Sequence, residues 1–82
     1  MTLNIKAFAI AGGIISALSA FIFHIFVLMS GGSVEFLKLI IEWHPGATLS
    51  YGGAVIHAVW MFVYGFIGFG IFAQLYNKLI KN

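Results

Sequence analysis

Two stretches of this chain stay free of formal charge for longer than a lipid bilayer is thick. Ala7–Met29 spans 23 residues with His24 as its only strongly polar side chain, and Ala54–Leu75 spans 22. Each exceeds the roughly 20 residues a helix needs to cross a hydrocarbon core about 30 Å thick. Lipid offers no partner to a stray backbone amide, so both stretches must be helical. Composition excludes a soluble alternative. Of 82 residues, 62% are hydrophobic and 7% charged, where soluble domains carry roughly 25% charged residues. A monomer this short cannot hide that much apolar surface from water.

The expected fold is therefore an all-α membrane protein, a single membrane domain over residues 1–82. It is a two-transmembrane-helix hairpin with a short interfacial amphipathic helix in the connector. Span 1 covers about 7–29, the interfacial helix about 33–43, and span 2 about 54–75. A cleavable signal would also place a lysine before an apolar run, with small residues such as Ser16–Ala20 after it. Here the run continues through Phe21–Met29, which is too long for a signal's apolar region.

In the connector, Gly31 and Gly32 end the first helix and Ser33 is placed to cap the next. Glu35, Lys38 and Glu42 then fall on one helical face, with Val34, Phe36, Leu37, Leu39, Ile40 and Ile41 around them and Trp43 at the end. A narrow charged stripe with a terminal tryptophan is the pattern of a helix lying at the membrane surface, its apolar side in lipid. Pro45-Gly46 breaks that helix, and Ser50 is a candidate cap for the second span. His44, beside the proline, is expected at the surface of the loop. Lys6 flanks one end of the first span, and Lys78 and Lys81 flank the far end of the second. A hairpin brings these three lysines to one side, so the positive-inside rule places both termini in the cytoplasm.

Small residues recur at helical spacing in both spans. The first carries Ala9, Gly13, Ser16, Ala20 and His24; the second carries Ala54, Ala58, Met61, Gly65, Gly68 and Phe72. Apolar side chains gain little by leaving lipid for one another, so membrane helices associate through close packing of small residues. Gly13, Ser16, Ala20, Ala54, Ala58, Gly65 and Gly68 are thus the expected packing positions, within the hairpin, between copies, or both. Gly70 lies off this stripe and suggests a second contact face.

His24 and His57 lie six residues before Ser30 and seven after Ser50, about 9 and 10 Å below one membrane surface. An ionisable group at that depth marks an intramembrane polar site. Three roles compete: neutral imidazoles bonded to each other or to serine and backbone groups, the lining of a pore or proton path, and axial ligation of a haem or metal. No other residue supports a cofactor, so none is expected.

Enzymatic chemistry finds no machinery. Glu35 and Glu42 are the only carboxylates, cysteine is absent, and the glycines of "GFIGFG" lie inside a span rather than in a phosphate-binding loop. The four lysines are scattered, which excludes a nucleic-acid patch.

The stretches "LNIKAFAIAGGI", "HPG" and "SYGGAVIHAVWMFVYGFIGFGIFAQLYNKL" together resemble a family of tiny two-span bacterial membrane proteins. That family is often labelled bacteriophage holin or domain of unknown function. The resemblance implies residence in the inner membrane of a bacterium, while self-association is expected from the residues, since the two helices carry more small and aromatic surface than one hairpin can use. Its members often carry an acidic residue in the second span, where this chain has Tyr64 and Gly65. Two functions are expected from different classes. One is a ring or pore-like homo-oligomer, holin-like and non-enzymatic. The other is a small accessory subunit packed on the helices of a larger respiratory or transport complex.

Overall fold

The computed structural model describes residues 2–81, and they form three helices with no strand among them. Helix α1 is Ile5–Ser30, α2 is Val34–Ile41 and α3 is Tyr51–Ile80. Both long helices start ahead of their apolar runs because their caps lie outside them. The Asn4 side chain accepts from the Ala7 N–H at 3.0 Å, and the Ser50 hydroxyl accepts from the Gly53 N–H at 3.0 Å. At the other end of α1, Gly31 turns into the left-handed region (φ 76°) and donates its N–H to the Val27 carbonyl at 2.8 Å. Glycine enters that region without the steric cost a Cβ imposes.

α1 and α3 pack antiparallel as a hairpin. At the open end, the Asn77 side chain accepts from the Leu3 N–H at 2.7 Å and donates to the Leu3 carbonyl at 2.8 Å. Phe8 meets Phe69 edge-on and stacks on Phe72, with 5.6 Å between centroids in each pair. Lys78 and Lys81 sit beside Thr2 at this end. Both long helices are apolar and long enough to cross a membrane. Their outer surfaces are a belt of exposed Ile, Leu, Val and Phe, a surface that suits lipid and is costly in water.

The close approach between the helices rests on glycine. A Cβ on Gly65 would lie 2.8 Å from the Gly12 carbonyl oxygen, and one on Gly13 would lie 3.0 Å from the Phe62 carbonyl oxygen. Gly12 faces the Phe69 ring with no room for a side chain. The buried residues of the α3 span include His57, Gly65 and Ala73, eight apart, so the contact follows a ridge of i, i+4 steps. The 3.6-residue stripe drifts off that ridge. Gly13, Ser16, Ala54 and Gly65 accordingly lie at the contact, and Ala20 and Ala58 are half-buried at its margin. Gly68 lies outside it, with open space where its Cβ would be. Gly12 and Ala73 hold places the stripe did not assign.

The connector differs from expectation in three ways. Ser33 itself takes the left-handed backbone (φ 61°), so its hydroxyl makes no cap bond, and only its carbonyl accepts from the Leu37 N–H at 3.1 Å. α2 ends at Ile41, leaving Glu42 and Trp43 beyond it. Part of its apolar face turns inward rather than outward, with Leu37 and Ile41 buried against Val27 and Ala47 and flanked by Phe23 and Val34. Phe36, Leu39 and Trp43 remain exposed. Down the side of the hairpin, Phe36 meets Phe23, Ile40 borders the same groove as Ser16 and Met61, and His44 reaches Tyr64. The chain then returns through Pro45-Gly46 to the start of α3, with Gly46 left-handed at φ 86°.

Candidate functional site

The descent of the connector brings all three histidines of the chain together. His24 from α1, His57 from α3 and His44 from the connector are 0%, 2% and 8% exposed. His24 and His57 face one another with 3.1 Å between their Nδ1 atoms. The His44 ring lies 6.1 Å from that of His57, centroid to centroid, and packs on Trp60 and Tyr64 at 5.5 and 5.4 Å.

The partners fix the tautomers of the neutral rings, because a carbonyl oxygen can only accept. His24 Nε2 lies 2.9 Å from the Thr48 carbonyl, so Nε2 carries the proton and Nδ1 offers a lone pair. His57 Nδ1–H therefore donates to His24 Nδ1, and His57 Nε2 is left as an acceptor. His44 Nδ1 lies 2.7 Å from the Ile40 carbonyl and so donates to it. Its Nε2 then accepts from the Tyr64 hydroxyl at 2.9 Å. Trp60 Nε1–H donates to the Pro45 carbonyl at 3.1 Å, which holds the turn against α3.

Buried polar groups this well partnered lock the three segments to each other. The chemistry is limited by where the bonds end. One chain runs His57 to His24 to the Thr48 carbonyl, the other Tyr64 to His44 to the Ile40 carbonyl, and a carbonyl passes no proton onward. Both nitrogens of His24 and both of His44 are engaged, and no group of three or more His, Cys, Asp or Glu among the described residues is placed to hold a metal ion. His57 Nε2 stands apart. It has no hydrogen-bond partner among the described residues, yet no fully enclosed polar side-chain atom there lacks one. Nε2 must therefore reach an opening.

His44 departs from its expected place at the loop surface. Pro45-Gly46 folds the connector back on α3, and Ile40 and Tyr64 supply a partner for each ring nitrogen. Tyr64, Trp60 and Thr48 are also site residues, and no motif marks them in the sequence. One signal was available: His57, Trp60 and Tyr64 are spaced i, i+3, i+7, one helical face. Glu35, Lys38, Glu42 and Trp43 lie outside the cluster, all exposed. Glu35 and Lys38 approach to 3.7 Å in an i, i+3 pair, a surface interaction of small energetic weight.

Compared with family models, curated proteins and solved structures, the chain matches none.

Proposed function

We propose that this chain is a small, non-enzymatic integral membrane protein that assembles with copies of itself into a ring or pore-like homo-oligomer. Its two helices carry more small and aromatic surface than one hairpin can use, and its resemblance to the holin-labelled two-span proteins suggests the pore-like form. The observation that carries the reading is Gly68. It lies mid-helix on the outer face of α3, and nothing approaches the place of its Cβ. Glycine costs about 1 kcal/mol relative to alanine inside a helix, and at Gly65 close packing within the hairpin offsets that cost. At Gly68 the hairpin provides no offset, whereas a second helix laid against that face would, by the small-residue packing of membrane helices.

The charges set the proposed placement in the bilayer. From Lys6 to His24 is about 27 Å along α1, and from His57 to Lys78 about 32 Å along α3, at 1.5 Å per residue. A hydrocarbon core of about 30 Å starting at the lysines thus ends near the histidines. The head of α2, with Glu35, then lies at the far interface, and its exposed face with Lys38, Glu42 and Trp43 runs down the outer side of the hairpin from there. This places the histidine pair closer to the interface than counting from Ser30 and Ser50 suggests. The three lysines put the open end of the hairpin on the cytoplasmic side of a bacterial inner membrane.

The test is the mass of the purified chain in mild detergent, for the unaltered protein, Gly68→Leu and Ile67→Leu. A defined homo-oligomer that Gly68→Leu dissociates and Ile67→Leu spares is the expected result. A monomer in all three would reject self-assembly and favour the accessory subunit of a larger complex. An oligomer indifferent to Gly68→Leu would reject this face as the contact.

A further inference from the structure

The unpartnered nitrogen of His57 does not face a sealed interior. His57 lines a lateral groove of roughly 310 Å³, together with Ser16, Ser19, Ala20, Phe23 and Met61, and α2 roofs it through Phe36 and Ile40. His57 is 2% exposed, and its Nδ1 is held by His24. The tautomers set by the Thr48 carbonyl leave its Nε2 a bare acceptor. An acceptor this nearly enclosed is satisfied only by what enters through that opening, so something that can donate belongs there.

The surroundings narrow what that is. Apart from the Ser16 and Ser19 hydroxyls the groove walls are mainly carbon, a lining that favours an occupant with one polar end over a water, which needs about two to four polar partners. A cation has a single imidazole to bind, and no carboxylate lines the groove. An anion would meet a lone pair. The groove opens sideways from the hairpin, on the surface assigned above to lipid. Its volume is at the small end of the roughly 300–1,000 Å³ typical of ligand sites. That holds the head and first carbons of a molecule whose remainder lies in hydrocarbon.

From this geometry we infer that the groove beneath α2 is a binding site for a membrane-dissolved alcohol or phenol. Its hydroxyl donates to His57 Nε2, and its hydrocarbon lies along Ala20 and Met61. With the histidines near the interface, the hydroxyl sits at headgroup depth and the tail points into the core, as an amphiphile of this kind orients by itself. The site is contained in one hairpin, so it stands whether or not copies assemble.

The experiment uses the full chain, labelled with ¹⁵N-histidine, in lipid nanodiscs. The probes are 4-pentylphenol and its methyl ether 4-pentylanisole, which have the same ring and tail, the second without a donor. The expected result is a saturable shift of the His57 Nε2 resonance with the phenol and binding about tenfold weaker for the ether, the worth of one hydrogen bond. Ala20→Phe fills the groove from the margin of the helix contact, and should weaken phenol binding by a similar factor. The His24–His57 bond, seen through its ¹⁵N signals, reports that the variant is folded. Equal affinities for phenol and ether, or a shift that never saturates, would overturn the inference, as would undiminished binding in folded Ala20→Phe. The phenol–ether comparison is decisive without any variant.

Discussion

Replacing His24 with leucine should destabilise the hairpin more than the same change at His57, although the two rings share one bond. His24 makes two hydrogen bonds, to the His57 ring and to the Thr48 carbonyl, at 3.1 and 2.9 Å. Its loss strands the His57 Nδ1–H and the Thr48 oxygen. The loss of His57 strands only the His24 Nδ1 lone pair. Leaving a buried polar group unpaired costs about 1–3 kcal/mol, and the Thr48 contact is part-buried, which places it low in that range. His24→Leu should therefore cost about 2–4 kcal/mol and His57→Leu about 1–3. The double variant should cost less than their sum by about 1 kcal/mol, within the roughly 0.6–1.7 found for interhelical hydrogen bonds in membranes. Because the chain has no cysteine, dyes can be placed solely at introduced positions near the ends of α1 and α3. Energy transfer between them, followed through an SDS titration of dodecylmaltoside micelles, gives the unfolding free energy of each variant. Equal single costs that add within about 0.3 kcal/mol would refute both the bond between the rings and the tautomer assignment built on it.

Two further outcomes follow from the same geometry. Gly65→Leu should open the hairpin itself, because even a Cβ there lies 2.8 Å from the Gly12 carbonyl oxygen. The energy-transfer assay should show a loss of about 1–3 kcal/mol, as overpacking does, while Gly68→Leu leaves that signal unchanged; equal effects would remove the distinction between inner and outer glycines. Tyr64→Phe deletes the donor to His44 Nε2 and should cost about 1 kcal/mol, with faster amide exchange at Ala47 and Ser50, whose N–H groups are bonded within the connector. Unchanged exchange there would mean that His44 is not what fastens the connector.

The helices are legible because length and missing charge leave lipid-compatible backbone no other form, and the sequence places Ser50 as a cap, which the structure seats on Gly53. The register of their contact is less so. A stripe drawn at 3.6 residues per turn assumes two straight cylinders meeting along their axes. The observed contact steps along an i, i+4 ridge, which carries Gly65 inward with Ala73 and turns Gly68 out. Nothing in α3 alone distinguishes those two glycines. The distinction comes from Gly12 and Ser16 across the interface, so it exists only once the helices are paired.

The site shows the same dependence more sharply. His24 and His57 could be matched by counting down from the connector, since a hairpin puts equal distances from its turn side by side. His44 could not, because its position depends on a chain reversal rather than on a period. Pro45 and Gly46 mark a turn, but not which way it sends the chain. The direction is set by what accepts it: Trp60 donates to the Pro45 carbonyl, Tyr64 donates to the His44 ring, and Val27 with Phe23 receives Leu37 and Ile41. Each contact is weak alone, and together they tie the connector to both α1 and α3. A connector read in isolation therefore looks like a surface loop with a surface histidine. Folded against the hairpin, it becomes the roof of a groove whose one free acceptor, on His57, is available because the other histidine nitrogens of the cluster are already engaged.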